Sequence, residues 1–343
     1  MTRTVGLCFA LAAITIEPVS AQVLQPPAGD AVVSRLFAAT AAGPHVTYSW
    51  GEQWFQLRAD TRGFHGALYA FACLGPSVFA GGTEGLYESE DYGESYRRIA
   101  GFDGVDVRVI VTARMFELEP TILVGTDSGL HRSVDRGLKW TRLGESLLSA
   151  RVRDLKWPGP QLFAATDDGL YLSVDVGESW ERLDGGLPTV PFLSLVASQF
   201  FLADPVLLVG TLGEGLYRSG DGGEHFERTG GREHEKATIH AMFWWGAVLI
   251  IGAEDGLYFS HDAGATLEPV DDLKGRRVLS ISIPVPEGAL RSDIIVGTDE
   301  GVYKSSDGGF RFFPVRNGLG RLAVTALSTF PVPVQNREQD RRR

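Results

Sequence analysis

Carboxylates are the side chains in this sequence best placed to do chemistry, because six aspartates stand in one recurring wording. Ser-x-Asp-x-Gly-x-x-aromatic begins at Ser89, Ser133, Ser173, Ser219, Ser260 and Ser305, which places the aspartates at Asp91, Asp135, Asp175, Asp221, Asp262 and Asp307. Carboxylates working as a pair can cleave a glycosidic bond, one as general acid and the other as nucleophile or base. That chemistry needs two unlike carboxylates at one spot. Six equivalent copies at steps of 40 to 46 residues describe something else, one supersecondary unit written repeatedly. The aspartates are therefore assigned a structural role. No residue is assigned a catalytic one, and no metal or cofactor site is expected.

The elements that would hold these aspartates follow from the same wording. An Asp side chain accepts backbone N–H groups and fixes a tight turn, and the glycine two residues on can take a positive φ. Apolar runs with Gly-Leu-Tyr signatures (Gly169-Leu170-Tyr171, Gly215-Leu216-Tyr217, Gly256-Leu257-Tyr258) precede the turns, and short strands ending the unit follow them. The aromatic after the turn (Tyr96, Trp140, Trp180, Phe226, Phe312) packs inward, while the copy at Ser260 has Leu267 there. One unit resolves into four short strands at 152–157, 161–165, 169–173 and 179–183. Units beginning near Phe64, Val107, Val152, Phe192, Ile239 and Val278 make six. A seventh is hidden at the start, where 37–54 aligns without a gap onto 163–180, with Thr47, Ser49 and Gly51 in the turn. That unit lacks a first strand, and 322–330 supplies one, with Val324 and Leu327 matching Val152 and Leu155. The expected architecture is all-β: a single seven-bladed β-propeller of four-stranded blades, closed by the C-terminal strand so that no sheet edge stays open. Six blades with an N-terminal extension is the alternative count.

Residues 1–21 read as a secretory signal peptide, with Arg3, an apolar run over 5–16 and Val19-Ser20-Ala21 before the cut. The run is shorter than the ~20 residues that span a bilayer, and no transmembrane segment is expected after cleavage. Residues 22–30 are a linker, 31–330 the propeller, and 331–343 a flexible tail whose four arginines face Glu338 and Asp340. Cys73 is then the one cysteine left, which excludes an internal disulfide and reads as a small buried hydrophobe. A net charge of −11 argues against nucleic-acid binding.

Ser-x-Asp-x-Gly-x-x-Trp resembles the Asp-box, or bacterial neuraminidase repeat, a structural turn on the rim of β-propellers. Sialidases of that superfamily carry an Arg-Ile-Pro motif ahead of the first blade, and Tyr96-Arg97-Arg98-Ile99 has no proline. The xyloglucan hydrolases use two propellers. The chain is most similar to single, seven-bladed, exported Asp-box proteins such as the photosystem II assembly and stability factors. That resemblance implies a non-catalytic propeller that binds a membrane-protein complex, or another protein, through an arginine-rich patch. It also implies a periplasmic or extracellular location, peripheral to a membrane and without nucleic acid. A glycan-binding or glycan-hydrolysing propeller is the alternative.

With the turns on one side, the opposite side carries the loops between second and third strands and those leading into each next blade. The former are acidic (Glu84, Asp127, Asp167, Asp168, Glu214, Glu254, Asp255, Asp299, Glu300), as ordinary hairpin chemistry or as a ring drawing a basic partner. Among the latter, Arg108, Arg153 and His240 share one aligned position, with Arg276, Arg277 and Arg321 just before it. By placement, Arg108, Arg153, Arg277 and Arg321 are the counterparts of the family's arginine patch, and with His240 they form the expected partner-binding set. Such a mouth suits a carboxylate or an acidic peptide, unless its arginines are spent on the acidic loops. On the other side, Trp157, Trp244 and Trp245 are candidates for an apolar patch or for packing under loops. Glu233-His234-Glu235 is read as solvated.

Overall fold

The computed structural model describes residues 32–333 except 48, 50, 58–63, 65, 75, 114–120, 144–149 and 285–292. The expected signal peptide and linker, and the tail beyond 333, lie outside the described residues. Val33–Val332 forms one compact unit of seven antiparallel sheets, each of four strands. In six blades the strands follow chain order, as in Val152–Lys156, Leu162–Thr166, Leu170–Ser173 and Glu181–Leu183. Numbered along the chain, blade 2 spans 68–98, blade 3 107–143, blade 4 152–183, blade 5 192–229, blade 6 239–269 and blade 7 278–315. Blade 1 is composite: Val324–Pro333 lies beside Val32–Thr40, followed by Gly43–Thr47 and Phe55–Gln56. The chain thus forms the closed, seven-bladed β-propeller its repeats predict, completed by its C-terminal strand.

The sequence pattern explains the ring. Second strands such as Ile122–Thr126, Leu207–Thr211 and Ile294–Thr298 are buried at every position, because both faces are covered by neighbouring blades, and they read as β-branched and leucine runs interrupted by a single glycine. Their penultimate glycine is where blades approach most closely. A Cβ on Gly210 would stand 2.4 Å from Ser194 Oγ and 2.7 Å from Ile239 of the next blade. Seven apolar clusters each mix residues of adjacent blades, for example Leu123 and Leu130 with Leu155 and Leu162. The cluster at the seam joins Leu36, Ala38 and Trp54 of blade 1 to Ile295, Val302 and Leu319. First strands of successive blades pack together around the axis. At the seam, Ser280 Oγ–H donates to the Val324 carbonyl (3.1 Å), and Thr325 Oγ1–H donates to the carbonyls of Leu68 (2.5 Å) and Ala39 (3.3 Å).

No helix among the described residues is long and apolar enough to cross a membrane. Cys73 is half-buried, and burial pushes its thiol up, so its thiolate is suppressed.

Candidate functional site

The six aspartates all do the same local work. Each serine hydroxyl donates to its aspartate Oδ1 over 2.6 to 2.9 Å. The same oxygen of the serine accepts the N–H of the turn glycine at 2.7 or 2.8 Å. Each Oδ1 also accepts the N–H four residues on, at Ser95, Lys139, Ser179, His225, Thr266 and Arg311. The Ser179 hydroxyl bond, then its N–H, holds the Asp175 carboxyl down to about 2, and the Thr266 N–H, then its hydroxyl, does the same to Asp262. A glycosidase's general acid needs the opposite, a carboxyl kept protonated near neutrality. In blade 1 the turn survives without an aspartate. Thr47 Oγ1 accepts the N–H groups of Ser49 and Gly51, Ser49 Oγ accepts that of Gln53, and the Trp54 indole donates to the Gly51 carbonyl.

The carboxylate after the turn glycine does something the repeat wording does not advertise: it pins blade to blade. Glu94 takes Arg35 of blade 1 at 3.3 Å, and Glu178 takes Arg132 of blade 3 at 2.5 Å. Blade 6 has Ala265 at this position, and Arg218 of blade 5, in the place of Arg132, has its ε N–H buried without an acceptor. Its cross-strand neighbour is Glu227, yet no ion pair joins them among the described residues.

The opposite side of the ring is shaped by a backbone device. In six blades the pairing of first and second strands slips by one residue near the start of the first strand. The residue left over at each β-bulge is Tyr69, Arg108, Arg153, Leu193, His240 or Leu279, and Thr325 occupies the aligned position of blade 1. A bulge re-aims a side chain out of the regular alternation, so these residues gather at one end of the first strands, half-buried. Arg108 lies over the Tyr69 ring of the preceding blade, 4.1 Å from its centroid.

The bulge residues meet the acidic loops expected on this side. Arg108 donates from Nε to Asp127 (2.8 Å) and from a terminal nitrogen to Asp106 (2.6 Å). Arg151 bridges Asp127 at 3.0 Å and Asp167 at 3.7 Å, and Arg153 pairs with Asp167. Across the ring, Glu254 accepts Arg277 Nε and stands 2.8 Å from His240 Nε2, while Arg276 reaches Glu300 at 2.6 Å. Burial alone would raise the Asp127 carboxyl, but the bond and charge of Arg108, with the charge of Arg151, hold it below its ordinary value. Glu254 is held down chiefly by the bond from Arg277. Arg321 is exposed on this side, close enough to Glu300 to help lower its carboxyl. The five expected residues thus sit in two ion-paired arcs, Arg108 with Arg153 and His240 with Arg277, and Arg321 adjoins the second.

Sequence reasoning missed Tyr69 and Arg151. It also missed arginines that cap the acidic hairpins from the outermost strands: Arg98 to the Glu84 carbonyl, Arg142 to the Ser128 carbonyl (2.6 Å) and Arg228 to Glu214 (2.8 Å). Their constant spacing of 14 residues from the loop residue was the available signal. His234 packs edge-on against Tyr258 with centroids 4.7 Å apart. Trp157, Trp244 and Trp245 are half-buried against the apolar clusters of their blades.

Fold and closure define a seven-bladed β-propeller with a bulge-built mouth, and the comparisons with known proteins agree on the fold. The extracellular domain of the putative one component system BT4673 from B. thetaiotaomicron superposes with a TM-score of 0.60 at 18% identity, covering 76% of this chain and 35% of that one. The chain therefore spans about a third of that relative's length. YCF48 bound to D1 peptide superposes with a TM-score of 0.63 at 14% identity, covering 82% of this chain and 95% of that one. YCF48 from Cyanidioschyzon merolae gives a TM-score of 0.56 at 13% identity over 76% of this chain and 94% of its own. No family model and no curated protein matches the sequence.

Proposed function

We propose that this chain is a non-catalytic Asp-box propeller that is exported and binds a protein partner at the bulge-built mouth. The partner presents an acidic segment, as an assembly client or neighbouring subunit on the outer face of a membrane complex would. The single observation that carries the reading is the set of bulges, which converge Arg108, Arg153 and His240 with Arg277 on one end of the ring. Asp127 and Asp167 are half-buried and Glu254 is exposed, so water reaches each of these carboxylates and an arginine fork can exchange such a partner at a cost on the order of 1 kcal/mol. A docking carboxylate therefore replaces Asp127, Asp167 or Glu254 rather than filling an empty site. Tyr69 and Leu193 between the arcs, with Leu279 beside Arg277, supply apolar contact for the segment's other side chains. The existence of a YCF48 structure with a bound peptide supports peptide binding on this architecture. The first 21 residues are the export signal in this reading, and the propeller runs from the strand starting at Val32 to the one ending at Pro333.

The test is retention of a membrane complex from detergent extract on the immobilised protein. Wild-type retention should fall with added salt, and Arg108→Glu, Arg153→Glu, Arg277→Glu and Arg321→Glu combined should abolish it without lowering Tm by more than a few degrees. Undiminished retention by the folded quadruple variant overturns the mouth as the site. Turnover of a glycoside panel overturns the non-catalytic reading.

A further inference from the structure

We propose that the turn side of the ring carries a second docking site, a groove between blades 4 and 5 that takes a protein segment presenting a bulky apolar side chain beside Lys or Arg. The groove encloses about 400 Å³ and is lined chiefly by Pro160, Val174, Phe201, Leu202, Pro205 and Asp221. Val174 is 71% exposed and Leu202 78% exposed, and Phe200 beside them is 70% exposed. Two large apolar side chains standing in water at one depression, with the exposed Phe200 nearby in the same loop, mark a surface made to be covered.

The covering surface has a rigid mate. Blade 5 joins its first two strands through residues 198–206, where blade 6 turns through 246–247 alone. The longer connection is fastened on itself. The N–H groups of Ala203 and Asp204 both donate to the Phe200 carbonyl at 2.8 Å, the Val206 N–H donates to the Asp204 carbonyl, and the Ser198 hydroxyl closes on the same carbonyl. Phe201 roots it, 5% exposed, with its ring edge-on to Phe163 at 5.7 Å. Phe200 and Leu202 are thus held outward by a folded loop, and a ligand meets them with little ordering cost.

Charge selects the ligand. No Lys or Arg lines the groove, and its one ionisable group is Asp221. The His225 N–H and the Ser219 hydroxyl hold that carboxyl far below its ordinary value, so it is ionised at any working pH. His225 Nδ1 stands 2.8 Å from Asp221 Oδ2, and Glu224 adds a second carboxylate within 4.8 Å of both, all exposed, so the cluster stays net acidic even with His225 protonated. Asp175 follows Val174 and Asp204 precedes Pro205 in the chain, both of them exposed, so carboxylates border the apolar floor on both blades. An apolar anchor flanked by cations satisfies both features, whereas an acidic segment is repelled. The site differs from the mouth in face and in sign, so one fails independently of the other.

The experiment uses the full chain and two end-blocked pentapeptides labelled for fluorescence anisotropy, Arg-Leu-Phe-Leu-Arg and Glu-Leu-Phe-Leu-Glu. The basic peptide should bind saturably, and the acidic one at least about tenfold more weakly. Leu202→Ser should weaken the basic peptide by about tenfold or more and Glu224→Lys by about fivefold, with unchanged melting, since both side chains are exposed. The quadruple mouth variant should bind it like wild type. Absence of saturable binding, equal binding of both peptides, or an undiminished Leu202→Ser complex overturns the proposal. So does Leu202-dependent adsorption to phosphatidylcholine vesicles, or Leu202-dependent dimerisation, without peptide binding; those results assign the groove to lipid or to a second copy.

Discussion

Replacing Asp175 by alanine tests the structural reading of the turn aspartates most directly. Asp175 Oδ1 accepts the Ser173 hydroxyl at 2.8 Å and the Ser179 N–H at 2.9 Å, and Oδ2 accepts the Ser179 hydroxyl at 2.6 Å. A carboxyl held at about 2 against an ordinary 3.8 corresponds to roughly 2 kcal/mol if fully shielded. The turn is exposed, so solvent screens that to about 1 kcal/mol. Loss of the turn's backbone acceptor resembles loss of a helix N-cap, also about 1 kcal/mol. Both magnitudes belong to the same set of bonds, so the turn loses about 1 kcal/mol in all. Asp175→Ala should therefore lower Tm at pH 6 by about 1–2 °C. Because the folded carboxyl lies below its unfolded value, its contribution is complete above about pH 4 and is lost as pH falls through about 2. The Tm difference between wild type and variant, measured by circular dichroism, should consequently be smaller at pH 2.5 than at pH 6. An equal difference at both pH values, or none at pH 6, refutes the reasoning.

Val176 holds a left-handed φ of 58°, which costs a β-branched residue roughly 1–2 kcal/mol, while the bond it makes, to Arg132, uses only its carbonyl. Val176→Asn should therefore raise Tm by a few degrees, and a lower Tm counts against strain at the turn. Ala265→Glu should give Arg218 the carboxylate that Glu178 gives Arg132, stabilising by up to about 1 kcal/mol. The gain should vanish in 1 M salt or with Arg218→Ala, and a salt-independent gain points to another cause. A chain ending at Gly320 loses the first strand of blade 1 and should elute as aggregates in size-exclusion chromatography, whereas one ending at Val334 should melt like the full chain. A soluble, cooperatively melting protein ending at Gly320 contradicts closure.

The fold was legible because its signal is repeated and local: Ser-x-Asp-x-Gly needs only its own neighbours to form. Even the composite blade could be read, since Thr47 and Ser49 keep the hydroxyls that replace the lost aspartate. The mouth was legible only in part. Aligned first strands placed Arg108, Arg153 and His240 together, but nothing in Leu68-Tyr69-Ala70 announces a bulge, so Tyr69 beneath Arg108 went unseen. Nor does spacing reveal that Arg151 spans two loops, because Asp127 and Asp167 approach each other only when blades 3 and 4 are side by side. Likewise the Arg218 vacancy exists only as a relation between neighbouring blades, and it becomes visible once Glu178 is seen reaching Arg132.

The strand Val324–Pro333 has a kinetic consequence. Its Thr325 hydroxyl bonds the Ala39 carbonyl across a separation of 286 residues. Bringing segments that distant together costs roughly 5 kcal/mol of chain entropy, and contacts of such separation slow folding. During synthesis every other blade can form while Val32–Thr40 waits with its inner edge bare, a template for any passing strand. The interval before Val324–Pro333 arrives is then when the chain is most exposed to misassembly. Once seated, the strand makes the ring topologically continuous, and opening it requires separating blade 1 along a whole ladder at once, so resistance to proteolysis should be governed by that seam more than by the sum of the blades.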